Sequence, residues 1–174
     1  YITGVTYSAD NETLSYDHPS FDHGVSGGAD GHMDTDAFIT KYASDGSYAW
    51  TAFLGGSNAD VGNGIAVNST GAIFVGGQTT SFYDETSLTQ WDPANLQNSP
   101  VNHPDFFPIT EGALDNVFNA QISYNNSEGF VAAIHPSGTS LYWCTYIGER
   151  GNDNVTSVVV DASSNVYVAG TLEY

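Results

Sequence analysis

DAFITKYASDGSYAWTAFLGGSNADVGNGIAVNSTGAIFVGG, residues 36–77, and EGFVAAIHPSGTSLYWCTYIGERGNDNVTSVVVDASSNVYVAG, residues 128–170, are two copies of one unit that align with a single one-residue slip. Trp50 matches Trp143, Phe53 matches Tyr146, Leu54 and Gly55 match Ile147 and Gly148, and Asp60 matches Asp153. The last piece of the unit recurs as Tyr1-Ile2-Thr3-Gly4, Phe74-Val75-Gly76-Gly77 and Tyr167-Val168-Ala169-Gly170. A unit this short cannot bury its own apolar face, so its repetition implies an array of stacked copies.

Within each copy, apolar residues alternate with small or polar ones over short runs, which is the period of a strand and not of a helix. Strands are predicted at 37–42, 48–54, 64–67 and 72–77, and again at 129–134, 140–147, 156–160 and 165–170. Between them, Ser44-Asp45-Gly46, Asn68–Gly71, Pro136–Gly138 and Asp161–Asn165 carry the Asn, Asp, Ser and Gly that tight turns favour. Four antiparallel strands repeated with glycine and aromatic punctuation predict an all-β fold of propeller blades.

The pattern Asp36-Ala37-Phe38, Leu54-Gly55-Gly56, Gly64-Ile65-Ala66-Val67 and Asp105-Phe106-Phe107-Pro108-Ile109-Thr110 resembles the seven-bladed β-propeller repeat (SBBP-type) of secreted and extracellular repeat proteins. Asp17-His18-Pro19 is a weaker echo of the Asp-Phe-Pro stretch, and Glu149-Arg150 departs from the pattern. The resemblance implies a propeller, an extracellular or cell-surface location and no catalytic residue.

With Gly64–Val67 as the innermost strand, as the resemblance implies, the chain holds strands two to four of one blade, a whole second blade and strands one and two of a third. The 174 residues then form part of one propeller domain, with repeat units at about 36–77 and 128–170 and inserts at about 5–35 and 78–127. Such an arc leaves two open sheet edges, and the sequence reads as a segment of a longer chain. The expected partners are the remaining blades or other protein subunits, with strand exchange between molecules as the alternative. No signal peptide and no apolar run of spanning length is legible, so no membrane insertion is expected.

Twenty Asp and Glu stand against only Lys41 and Arg150, giving a net charge of −18, yet charged residues make up only 13% of the chain. The imbalance comes from missing base more than from added acid. Such a surface repels phosphate backbones, so no nucleic-acid partner is expected. Eleven tyrosines and 13% aromatic residues argue for a packed core. The single cysteine excludes an internal disulfide, and Cys144 reads as an apolar filler in a strand.

If the strand order holds, all acids except Asp45 and Asp161 fall on one face of the propeller. Crowded carboxylates there favour calcium or a cationic partner. Within Asp30-Gly31-His32-Met33-Asp34-Thr35-Asp36, the residues Asp30, Asp34 and Asp36 are the expected calcium ligands, since alternating carboxylates around a glycine let a short loop wrap a hard cation. His18, His23 and His32 match no standard metal spacing and read as solvated loop histidines. Asp60 and Asp153, present in both copies, read as turn-formers capping loop amides, because catalysis needs one asymmetric constellation and not a repeated one.

Four Asn-x-Ser/Thr sequons occur, of which Asn11, Asn68 and Asn125 lie in turns or inserts and are the glycosylation candidates; Asn154 begins an inner strand. The second insert carries Trp91, Phe106 and Phe107 among turn-formers, read either as a lid over the core or as a partner interface. The expectation is a noncatalytic extracellular structural or adhesive module, scaffold or subunit of a surface assembly, with calcium as a stiffening ion. The alternative is a calcium-dependent glycan- or ligand-binding propeller, and behind it a propeller lyase or hydrolase.

Overall fold

The computed structural model describes residues 1–6, 21–22, 35–56, 58–81, 107–120 and 126–173. Among these residues ten strands run in chain order: β1 Ile2–Thr6, β2 Phe21–Asp22, β3 Asp36–Tyr42, β4 Tyr48–Gly55, β5 Asp60–Val67, β6 Ile73–Thr79, β7 Glu128–Ile134, β8 Leu141–Ile147, β9 Asn154–Val160 and β10 Val166–Thr171. They form three sheets, ordered β1-β3-β4-β2, β5-β6-β7-β8 and β10-β9. The middle sheet is a complete four-stranded antiparallel meander, flanked by strands two to four of one blade and strands one and two of another. The blade division expected from the repeat is the one found. No helix among the described residues is long and apolar enough to cross a membrane.

The alternation in β4 shows how the sequence dictates this packing. Trp50, Ala52 and Leu54 are buried while Thr51 and Phe53 are only partly so, a clean period of two. In β7 every residue from Glu128 to Ile134 is buried, because the middle blade is covered on both faces. Ala37, Ile39, Trp50, Ala52 and Leu54 of the first blade meet Ile73, Val75, Phe130, Ala132, Ile134, Cys144 and Tyr146 of the second in one cluster. Phe74, Val131 and Ala133 meet Val155 and Val158 of the third blade in another.

The repeat extends to the irregularities. The register of β3 against β4 slips between Lys41 and Tyr42, and that of β7 against β8 slips at the equivalent Ala133 and Ile134. A bulge of β5 against β6 falls between Gly62 and Gly64, and its counterpart in the β9–β10 pair falls at Ala169 and Gly170. All four hairpin turns place a left-handed residue at the same step: Gly46, Gly71, Gly138 and, in the last, Ser164 at φ 66°.

Two features were not legible in the sequence. The pair Phe21–Asp22 runs parallel to β4, with Phe21 opposite Leu54 and Asp22 opposite Gly55, and covers the outer edge of the first blade. On the second blade residues 107–120 do the same without forming a strand. Thr110 N donates to Cys144 O at 3.2 Å, Tyr146 N to Asp115 O at 3.0 Å, and Asp115 N to Thr145 Oγ1 at 2.9 Å. Each insert therefore returns to shield its own blade's outer strand, a common remedy for an exposed edge.

Gly138 joins turn to core. It sits at φ 75°, and a β-carbon there would stand 2.9 Å from three ring atoms of Trp50 on the neighbouring blade. Gly138→Ala should therefore destabilise the fold by about 1–2 kcal/mol from the left-handed backbone alone. The Trp50 signal in near-ultraviolet circular dichroism should change with it; an unaltered midpoint and spectrum would refute this contact.

Candidate functional site

The buried acids of the described chain gather at one end of the sheets. Asp36 opens β3, Asp60 opens β5, Glu128 opens β7 and Asp153 immediately precedes β9, while Asp45 and Asp161 occupy turns at the opposite end. Asp60, Glu128 and Asp153 are fully buried and Asp36 is 4% exposed. The four make two equivalent pairs. Asp36 and Asp60 join the first blade to the second, and Glu128 and Asp153 join the second to the third.

Each junction is tied by the backbone as well. Asp60 N donates to Thr35 O at 2.6 Å, and Asp153 N donates to the equivalent Ser127 O at 2.8 Å. The first strand of every new blade is thus anchored to the residue just before the third strand of the blade behind it. The side chains then cap the loops. Gly56 N and Ser81 Oγ both donate to Asp60 Oδ2 at 2.8 Å. Glu149 N donates to Asp153 Oδ2 at 2.8 Å and Glu173 N to Asp153 Oδ1 at 2.9 Å. The capping role read from the repetition of these aspartates is the one they perform.

The pairs are electrostatically tense. Burial pushes the Asp60 carboxyl well above its ordinary range; the nearby Thr79 hydroxyl and the Gly56 and Ser81 donors pull it back, and the Asp36 charge raises it further. Asp60 Oδ1 has no partner of good hydrogen-bond geometry among the described residues, and neither does Glu128 Oε1. Burial pushes the Cys144 thiol up, so it stays protonated and serves as core filler.

Of the expected calcium ligands, Asp30 and Asp34 lie outside the described residues, and Asp36 is held in the pair with Asp60. Among the described residues no three His, Cys, Asp or Glu side chains are grouped as a metal site. Of the glycosylation candidates, Asn11 and Asn125 lie outside the described residues. Asn68 is half-buried in its turn: Oδ1 accepts from Thr70 N and Ala72 N, and Nδ2 donates to Ser164 Oγ of the next blade at 3.0 Å. Trp91 and Phe106 also lie outside the described residues. Phe107 is fully buried, its ring 4.4 Å from that of Phe130.

Sequence reasoning placed Asp36 and Glu128 on the acidic face without seeing that they meet Asp60 and Asp153. The signal lay in the glycines before the blade-to-blade loops. A β-carbon on Gly55 would collide with Asp36 Oδ1 and stand 2.9 Å from Asp60 Oδ2, and Gly148 has the same relation to Glu128 and Asp153. Gly55→Ala should therefore lower stability by about 1–3 kcal/mol, read as a smaller urea midpoint at unchanged slope. Asp60→Ala, which strands the Gly56 N–H, should also destabilise, by about 1–3 kcal/mol. Wild-type midpoints for both would remove the junction from the account of stability.

Comparison with known proteins agrees with this architecture. Residues 143–171, from β8 through β10, match the family described as Beta-propeller repeat. The regulatory protein FlaEY of Caulobacter vibrioides is 36% identical over 53 residues, which make up 30% of this chain. The match spans 6% of that relative's length. The chain is all-β, built of propeller blades, and resembles the SBBP-type β-propeller repeat.

Proposed function

We propose that this chain is a noncatalytic structural module, a propeller scaffold or adhesive subunit that works outside the cell in a surface assembly. The observation that carries the reading is an apolar groove of about 300 Å³, whose lining includes Val131, Trp143, Ile147, Val166 and Val168. The first three are the repeat counterparts of Ile39, Trp50 and Leu54, which are buried in the core they share with Phe130, Ile134 and Tyr146 of the next blade. The blade face propagates: Val131 is already covered by Val155 and Val158 of the third blade, while Trp143 remains 37% exposed at the groove. Burying such apolar area contributes roughly 25 cal/mol per Å², so further blades or neighbouring subunits are its natural cover.

The noncatalytic reading rests on the same geometry. Asp60 and Asp153, the acids a catalytic reading would single out, are sealed from solvent with backbone N–H groups on their oxygens. Calcium bound through Asp30, Asp34 and Asp36 belongs to the proposal as a stiffening ion. A rival reading, glycan binding, draws on the exposed rings of Tyr42 and Tyr48, packed edge to face at 6.3 Å beside the β3–β4 turn.

Sedimentation velocity and thermal unfolding of the chain, with calcium and with a chelator, test the scaffold. Concentration-dependent association and a midpoint raised by calcium are expected, and Asp34→Asn should abolish the calcium response. A strict monomer would overturn the scaffold. A midpoint indifferent to calcium would remove the ion, and saturable binding of a small glycan by the monomer would favour the rival.

A further inference from the structure

At the second junction the orphaned oxygen is Glu128 Oε1. Glu128 is fully buried, and its other oxygen accepts the N–H groups of Asn119 and Ala120 at 2.9 Å each. No donor among the described residues reaches Oε1. The orphan lies on the side of Asp153: a β-carbon on Gly148 would stand 2.5 Å from Glu128 Oε1 and collide with Asp153 Oδ2, so the two oxygens lie within about 5 Å of each other. Asp153 is fully buried as well, and each of its oxygens already holds one backbone N–H.

Two bare carboxylates cannot be held so close away from water without a large penalty, because neither charge is solvated and each repels the other. A proton on Glu128 Oε1 removes one charge and gives the orphan a role as donor towards the facing carboxylate. We propose that the buried Glu128 carboxyl beside Asp153 is a proton-binding site, in which the proton on Glu128 helps to join the second blade to the third and its departure loosens that junction. At the first junction the unpartnered atom among the described residues belongs to the other member of the pair, Asp60 Oδ1 on the counterpart of Asp153.

The surroundings agree with the geometry. Burial raises the Glu128 carboxyl to about 7; the Asn119 and Ala120 N–H groups oppose this, and the charges of Asp153 and Asp115 add to it. The titratable groups facing it are Asp153 ahead of β9, Asp115 on the segment over β8, and Tyr146 on β8, whose phenol burial pushes well above its ordinary value. Glu149 and Arg150 lie in the loop between β8 and β9. The folded chain therefore holds its proton more tightly than the unfolded one, whose glutamate titrates near 4.5. The stabilisation is complete below that value, fades as pH rises towards 7 and is gone above it.

Urea unfolding of the full chain and of Glu128→Gln between pH 5 and 8 reads the effect, because glutamine keeps the shape and supplies an N–H donor at every pH. The wild-type unfolding constant should rise relative to the variant by a factor on the order of tens across that range; a constant ratio would overturn the proposal. Carbon-13 titration of the Glu128 carboxyl in the unmodified chain does not depend on the variant folding. A midpoint near neutrality is expected, and one at or below the ordinary glutamate range would sink the proton on Glu128. Repeating the titration in millimolar calcium should leave the midpoint in place, and a fall of a unit or more would assign the site to the cation instead.

Discussion

The structure depends on one constraint: the first strand of each blade must begin where the third strand of the previous blade begins. The bonds from Asp60 N to Thr35 O and from Asp153 N to Ser127 O impose it. Along a strand a slip of one residue would turn every side chain to the wrong face. With the strand ends fixed, Ile65 of β5 meets the core shared by the first two blades, and Val155 and Val158 of β9 meet the one shared by the second and third. The apolar clusters supply the stability, and the polar junctions decide where the clusters form.

This division explains what was legible in the sequence. Strands and turns follow from local rules, and both copies state them: alternation gave β3 to β10, and a glycine marks three of the four left-handed turn positions. The blade arc followed because a repeat need only be read once. The contacts of the inserts were not legible, since a parallel pair of two residues, Phe21–Asp22 on Leu54–Gly55, has no periodicity to detect. Residues 107–120 bond to β8 through a few scattered backbone and hydroxyl contacts, which no alternation announces. The meeting of Glu128 with Asp153 is hidden for a different reason. Both read as loop acids, and only the steric relation of Gly148 to the two of them shows that they are neighbours.

Phe107 illustrates how an insert becomes part of a blade. In sequence it is one apolar residue in a long excursion between β6 and β7, equally suited to a lid or to an interface. In the fold its ring lies 4.4 Å from Phe130 and 6.3 Å from Tyr146, and Phe118 meets Tyr146 edge to face at 5.8 Å. The insert therefore completes the core that β7 and β8 share with the first blade. Changes in it reach the blade interior, which is why an aromatic residue there is no measure of surface function.

A pair of buried acids is a costly device where a well-packed apolar pair would stabilise as much. What an apolar pair cannot do is accept hydrogen bonds from separate strand ends. The Asp60 carboxylate takes Gly56 N after β4 and Ser81 Oγ after β6 while its own backbone starts β5, so one residue joins three strand ends from two blades. Asp153 repeats this with Glu149 after β8 and Glu173 after β10. Loop amides at a buried blade seam have no water to turn to and need such an acceptor. The acid answers that need at the expense of a second carboxyl close by, and neutralising the resulting pair is the remaining requirement of the seam. Blade order, amide satisfaction and charge neutralisation are thus met by the same few atoms, which ties the integrity of the array to whatever occupies the space between two carboxyls.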